Sequence, residues 1–174
     1  MRRTGYNFYR SYRLMADNQG KLWEDIVKEW LEQNNVCYDR IHDQMTGKKG
    51  SQNVCDFDAY VFPHIYYLEC KECKSTLFNM LQNISEYQWI HMLEKDSFPG
   101  VRAGYVIWMQ CENRAFWVSP LALNLYYSAG KKSVSVDDLV AVGIELELYQ
   151  KRTRWHLGTL LDVIEQELST GEFI

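Results

Sequence analysis

Two acidic segments on either side of a short turn hold the residues best suited to catalysis in this sequence of 174 residues. The first contains Asp56 and Asp58, and the second contains Glu69 followed two positions later by Lys71. Carboxylates held close together repel each other unless a cation lies between them, and such hard oxygen ligands suit magnesium or manganese. A bound divalent ion polarises a phosphate oxygen and activates water, while a neighbouring ammonium group stabilises developing negative charge. These residues therefore indicate metal-dependent hydrolysis of a phosphodiester.

Both segments alternate apolar and polar residues as β-strands do, and together they predict a hairpin. Asp56 and Asp58 share one face of the first strand, while Glu69 and Lys71 share one face of the second. A turn at residues 62–63 would set Asp56 opposite Glu69. A turn one residue later would set Asp58 opposite Glu69 and Asp56 opposite Lys71. Both registers bring acids together, and the turn alone does not choose between them.

The same charges also have a structural explanation. A lone Glu-x-Lys is more often a pair of solvated residues on the outer face of an edge hairpin. The constellation of two aspartates, a glutamate and a lysine is a stronger signal than any one of its parts, and it favours an active site.

Further motifs extend this constellation along most of the chain. They are Asn18-Gln19-Gly20 and Glu24 in the first helix, Asp56-Phe57, Glu69-Cys70-Lys71, the repeated Glu-x-Lys that ends at Lys74, and a helix over 84–92 that carries Gln88. In these positions the sequence resembles the PD-(D/E)XK nucleases of the restriction-endonuclease-like superfamily. Within that superfamily it resembles the Holliday junction resolvases of the RecU type.

The resemblance implies roles for particular residues. Asp56 and Glu69 would be the metal ligands, Glu24 would support them, and Asp58 would substitute if the register differs. Lys71 would be the catalytic lysine, and Gln88 would act in the same site. The implied cofactor is Mg²⁺ or Mn²⁺. The implied substrate is a four-way DNA junction cut symmetrically by a homodimer in bacterial or prophage-borne recombination.

Two of these assignments have competing explanations. Ser85 and Gln88 have the spacing of a helix capping box, in which the glutamine side chain bonds back to the serine amide. We take the two roles of Gln88 as mutually exclusive and favour the active site on the motif. Glu24 and Glu29 flank the apolar face of the first helix on opposite edges, so the choice of Glu24 also depends on the motif.

Hydrophobic periodicity predicts an α/β (α+β) protein with an αβββαβ order of elements, and the resemblance implies that helices flank a central mixed sheet. Further helices are added at the C-terminal end. The expected helices cover 20–34, 85–94, 121–127, 136–142 and 155–168, and the expected strands cover 36–41, 54–61, 65–71, 102–109 and 114–118. This is the restriction-endonuclease-like arrangement that the resemblance implies.

Charge is distributed unevenly along the chain. The net charge is −4, but residues 1–16 have no acid and contain Arg2, Arg3, Arg10 and Arg13 among several tyrosines, so the remainder carries −8. Such an arm can pair with phosphates and stack on bases, although an inert leader would have the same composition. Lys48 and Lys49 form a second basic site in a glycine-flanked loop that is short for a junction-binding stalk.

Composition sets the remaining expectations. We expect a flexible arm over 1–16 and one nuclease domain over 17–174, in the size range of a single hydrophobic core. Without an apolar segment long enough for export or membrane insertion, the protein is expected in the cytoplasm. Two alternatives stay open: a PD-(D/E)XK nuclease acting on linear duplexes or flaps, and a catalytically silent DNA-binding module of the same fold.

Overall fold

A six-stranded mixed sheet forms the centre of the protein in the computed structural model, which describes residues 19–41 and 53–170. In chain order the strands are β1 (Cys37–Arg40), β2 (Phe57–Val61), β3 (His64–Cys73), β4 (Leu77–Asn79), β5 (Val101–Met109), β6 (Arg114–Val118), β7 (Ser133–Ser135), β8 (Ile144–Leu146), β9 (Leu148–Lys151) and β10 (Arg154–Leu157). The central sheet has the order β1-β2-β3-β5-β6-β8, and only its β3–β5 pair is parallel. The pairs β4–β7 and β9–β10 form two small separate sheets.

Helices cover both faces of this sheet. They are α1 (Gln19–Gln33), α2 (Met80–Asn83), α3 (Glu86–Asp96), α4 (Pro120–Ser128), α5 (Val136–Val142) and α6 (Leu161–Thr170). None of the helices in the described part of the chain has the length and apolar content needed to cross a membrane. The predicted class, a mixed sheet between helical layers, is confirmed.

The first face of the sheet is covered by α1 and α6. The apolar stripe of α1 is fully buried here, because Trp23, Val27 and Leu31 recur at helical spacing and meet the sheet. Trp23 also donates its indole N–H to the carbonyl of Val106 in β5 at 2.8 Å, which fixes the helix against the middle of the sheet. Burial of these large side chains is the main force that positions α1.

The second face is covered by α2 to α5, and three of these helices begin at a serine. Ser85, Ser119 and Ser135 each accept a hydrogen bond from the third residue of the helix that follows, which satisfies an otherwise unpaired backbone donor. Met92 of α3 and Leu123 of α4 are fully buried against this face. This face therefore has a local start signal for three of its helices as well as an apolar core.

The predicted helix over 155–168 is wrong in its first half. Trp155 belongs to β10 and pairs with Gln150 of β9, and the helix begins only at Leu161. The apolar periodicity of 161–168 is genuine, but Gly158 separates it from the strand, and a glycine disfavours continuing a helix. The short strands β4, β7, β8 and β9 were also not predicted, because three or four residues give too little periodicity to detect.

Close packing in the core requires a glycine at position 104. A Cβ atom at Gly104 in β5 would lie 2.0 Å from the indole Nε1 of Trp117 on the neighbouring strand. We expect Gly104→Ala to lower the free energy of unfolding by about 1–3 kcal/mol, measured by urea denaturation, because the indole must leave a well-packed position. Gly20→Ala is the control, since nothing lies within 4 Å of a Cβ there. Equal stability of Gly104→Ala and wild type would contradict this packing.

Candidate active site

The β2–β3 hairpin has one of the two registers that the sequence allows. Asp58 pairs with Tyr67 and Val61 pairs with His64, so the turn lies at residues 62–63. One step beyond the last ladder pair, the same register sets Asp56 opposite Glu69, and the amide of Asp56 donates to the carbonyl of Leu68 at 3.0 Å. The chain thus brings Asp56, rather than Asp58, to the side of Glu69.

Glu69, Lys71 and Gln88 form a closed network on the face of the sheet that α3 covers. Glu69 Oε1 accepts from Lys71 Nζ and from Gln88 Nε2, each at 2.7 Å. Lys71 Nζ also donates to Gln88 Oε1 at 3.2 Å, so each of the three side chains contacts the other two. Glu69 is only 3% exposed, and it is the one charged residue among the buried residues of the described chain. The network therefore fixes the position of the ammonium group relative to the carboxylate.

Gln88 makes the hydrogen bonds of the capping box and contacts Glu69 and Lys71 at the same time. Its Oε1 accepts from the backbone N–H of Ser85 at 3.4 Å, and its own backbone N–H donates to Ser85 Oγ at 3.2 Å, which completes the capping box. Its Nε2 is directed to Glu69 at the same time. The two sets of contacts, which we expected to compete, coexist because the amide oxygen and the amide nitrogen of Gln88 bond to different partners. The helix start therefore positions the site.

Asp56 and Glu69 are each anchored through one carboxylate oxygen. Asp56 Oδ2 accepts from the backbone N–H of Cys70 at 2.7 Å, while its Oδ1 makes no hydrogen bond with the described residues. Glu69 Oε1 is bound by Lys71 and Gln88, and its buried Oε2 has no hydrogen-bond partner in the described part of the chain. A buried carboxylate oxygen without a partner is costly, and binding of an ion or a water molecule would satisfy it.

The protonation of this pair is shifted by its surroundings. Burial, followed by the charge of Asp56, raises the pKa of Glu69 to about 7. Burial is also the largest cause of the raised pKa of Asp56, about 6, and the nearby charge of Glu24 adds to it. The Cys70 amide, Lys71 and Arg40 act in the opposite sense on Asp56. Two carboxyls that resist ionisation together form a site that a cation would stabilise.

A divalent ion fits this donor set in part. Among residues 19–41 and 53–170, no group of three or more His, Cys, Asp and Glu side chains is arranged to hold a metal. Mg²⁺, however, commonly binds through one or two carboxylates and completes its shell with water and substrate phosphate. Asp56 and Glu69, each with an unbonded oxygen, meet that smaller requirement. The four predicted ligands Glu24, Asp56, Asp58 and Glu69 do not converge on one point.

Neither Glu24 nor Asp58 bonds to the described network of Glu69, Lys71 and Gln88. Glu24 forms an ion pair with Arg40 of β1, and it remains close enough to influence Asp56 electrostatically. Asp58 lies in β2, where its backbone register partners are Tyr67 of β3 and Asp39 of β1, and its buried Oδ1 has no hydrogen-bond partner among the described residues. Their roles as supporting and substitute ligands stay predictions.

Two residues near the site were not singled out from the sequence. Arg40 neutralises Glu24 and lowers the pKa of Asp56, and a basic residue at the end of a predicted strand was a weak signal for it. Tyr105 is the parallel partner of Glu69 on β5, and its fully buried hydroxyl has no hydrogen-bond partner in the described residues. Burial and the charge of Glu69 raise the pKa of Tyr105. A strand sequence does not reveal such a parallel register.

The predicted basic DNA contacts lie outside the described residues. They are Arg2, Arg3, Arg10 and Arg13 of the N-terminal arm and Lys48 and Lys49 of the glycine-flanked loop.

Comparisons with known proteins support the fold. No protein-family model matches the chain. No curated protein matches it either. Among solved structures, the chain is similar to Hjc of Archaeoglobus fulgidus, a Holliday junction resolvase from an archaeal hyperthermophile. The similarity has a TM-score of 0.51 at 14% sequence identity and covers 71% of this chain and 93% of Hjc. The chain thus has the restriction-endonuclease-like fold that its sequence predicts.

Proposed function

We propose that this protein is a Mg²⁺- or Mn²⁺-dependent endodeoxyribonuclease that cuts four-way DNA junctions, a resolvase of the RecU type acting as a homodimer in the cytoplasm. The observation that carries the proposal is the arrangement of Asp56, Glu69, Lys71 and Gln88. The buried Glu69 and the half-buried Asp56 each have one carboxylate oxygen without a hydrogen bond to the described residues, and the Lys71 ammonium group lies 2.7 Å from Glu69 Oε1. This is the donor set that phosphodiester hydrolysis with a divalent ion requires.

Each residue of the site has a distinct part in this chemistry. Asp56 and Glu69 would hold the ion, which when bound would polarise the phosphate and favour ionisation of the attacking water. Lys71 would orient that water or stabilise the negative charge that develops on the phosphate oxygens. Gln88 would keep Lys71 and Glu69 in register, because it bonds to both and is itself fixed by Ser85 at the helix start.

The choice of a junction as substrate has separate support. The motifs around Glu69 and Gln88 resemble the RecU type, and Hjc, which shares the fold, is described as a Holliday junction resolvase. A four-way junction has two equivalent strands to cut, which suits a symmetric dimer with two sites. The arginine-rich arm and Lys48-Lys49 would supply contacts to the phosphate backbone.

Incubation with a synthetic four-way junction tests the proposal. We expect paired, symmetric cuts in two strands with Mg²⁺ or Mn²⁺, and no cuts when EDTA is present, with products mapped on all four strands. Linear duplex and flap DNA of the same sequence serve as competitors. If duplex DNA is cut as fast as the junction, the protein is a general nuclease of the same fold and not a resolvase. Absence of cleavage on every DNA substrate, with an intact fold, would leave a silent DNA-binding module.

A further inference from the structure

A polar cavity opens at the end of β3, a few residues beyond the proposed catalytic lysine. Its volume is about 550 Å³, and its lining includes Glu72, Lys74, Leu77, Asn79, Gln82 and Ser133. These residues come from the end of β3, the short strands β4 and β7, and helix α2. The network of Glu69, Lys71 and Gln88 does not use any of them.

The cavity lies within reach of a DNA strand bound at the active site. Lys74 follows Lys71 by three residues and lies just past the end of β3, so the two residues are at most about 10 Å apart along the chain. The phosphates of one DNA strand advance by about 3.4 Å per nucleotide along the helix axis, so that separation corresponds to about three nucleotides. Cys73, which also lines the cavity, lies on the same face of β3 as Glu69 and Lys71. A DNA strand that runs along β3 beyond the active site would pass this cavity.

Several hydrogen-bonding groups in the cavity are uncommitted. The side chains of Lys74, Gln82 and Ser133 form no hydrogen bond with the described residues. Asn79 Oδ1 caps helix α2 by accepting from the backbone N–H of Gln82 at 3.1 Å, which leaves the Asn79 amide nitrogen unused. Glu72 Oε2 accepts a hydrogen bond from Gln110 Nε2 at 2.9 Å, and the other carboxylate oxygen of Glu72 has no hydrogen bond to the described residues. Leu77 is 52% exposed and adds an apolar surface.

This mixture suits the edge of a nucleobase better than a phosphate. The Glu72 carboxylate would repel a phosphate inside the cavity, whereas carboxylates and amides accept from and donate to base edges. An apolar side chain such as Leu77 can contact the face of the ring, and Lys74, exposed at the rim, can pair with the adjoining phosphate.

We propose that this cavity binds the base of a nucleotide close to the scissile phosphate and gives the enzyme a base preference at its cutting site. The inference depends on the proposed function for its substrate, but it assigns a second site with its own residues. Gln82 would make the main base-specific hydrogen bonds, because both its amide oxygen and its amide nitrogen are available in the cavity. Base binding in the cavity would therefore contribute to DNA affinity through residues that do not belong to the catalytic network.

The test is a panel of four-way junctions that differ only in the base pairs flanking the cut. Cleavage rates and equilibrium binding, the latter by fluorescence anisotropy without divalent metal, are measured for wild type, Gln82→Ala and Gln150→Ala. Gln150 is an equally exposed glutamine on β9 and serves as the matched control. We expect wild type to discriminate among the junctions, and Gln82→Ala to lose about tenfold of that discrimination. The control should keep it.

The possible failures are distinguishable. Wild-type cleavage or binding without base preference, or a preference that Gln82→Ala retains, overturns the base-reading cavity and leaves the nuclease proposal intact. Absence of cleavage with base-dependent binding that Gln82→Ala abolishes overturns the catalytic proposal and supports the cavity. A wild-type protein that binds no DNA overturns both.

Discussion

Lys71→Ala should abolish junction cleavage while junction binding stays close to that of wild type. The ammonium group lies 2.7 Å from Glu69 Oε1, and in the proposed mechanism it stabilises charge on the phosphate. Removing one such preorganised group typically lowers the rate of the chemical step by about 10²–10³-fold. Single-turnover cleavage at saturating metal measures the rate, and anisotropy without metal measures binding.

Two comparisons make that result interpretable. Lys151→Ala removes an exposed lysine from β9 and should leave the rate unchanged. Lys71→Met keeps the aliphatic stem and should lose as much activity as Lys71→Ala, which separates loss of charge from loss of packing. A cleavage rate within threefold of wild type for both Lys71 variants would remove Lys71 from the mechanism. Loss of folding in both would show that the lysine is structural.

Divalent metal should stabilise the protein strongly at pH values near 8 and hardly at all near pH 5.5. The raised pKa values of Asp56 and Glu69, about 6 and about 7, mean that both carboxyls are ionised above pH 7 and that both take up protons below pH 6. A protonated carboxyl is a poor metal ligand, so affinity falls with pH. Metal at a hundred times its dissociation constant adds about 2.7 kcal/mol, which raises the Tm of a domain this size by roughly 5–10 °C.

Without metal, Asp56 and Glu69 give stability the opposite pH dependence. A carboxyl whose pKa is higher in the folded state than in the unfolded state binds protons more tightly when folded. The metal-free protein should therefore lose stability as the pH rises from about 4, the ordinary carboxyl pKa, through the raised pKa values near 6 and 7. Differential scanning calorimetry with Mn²⁺ and with EDTA measures both trends in one set of samples.

Variants locate the source of this pH dependence. Asp56→Asn and Glu69→Gln should each lose most of the metal-dependent rise in Tm, whereas Asp137→Asn, an exposed acid on α5, should keep it. A rise in Tm of equal size at both pH values, or one that survives in both site variants, would mean that the ion binds elsewhere.

Local patterns in the sequence were sufficient for most of the fold and for part of the site. Strand alternation placed Glu69 and Lys71 on one face, and helical periodicity located α1 and α3 to within two residues. The features that the sequence left undecided depend on how the strands pair in the folded protein. The turn between β2 and β3 allowed two registers, and only the folded hairpin brings Asp56 to Glu69.

The features that were missed also depend on contacts between distant segments. The parallel pairing of β3 with β5 sets Tyr105 beside Glu69, and the ion pair between Arg40 and Glu24 joins a strand to a helix. No local pattern encodes either contact. For Gln88, the local sequence was enough to predict the capping bonds with Ser85. Its hydrogen bond to Glu69 could not be predicted in this way, because Glu69 lies on a separate strand.

The location of the metal tests the proposed active site most directly. Crystals grown with Mn²⁺ at pH 8 and measured near the manganese absorption edge should show an anomalous peak at about 2.1 Å from a carboxylate oxygen of both Asp56 and Glu69. Absence of a peak between these carboxylates at saturating Mn²⁺, in a protein that still cuts DNA, would contradict the assignment of the active site.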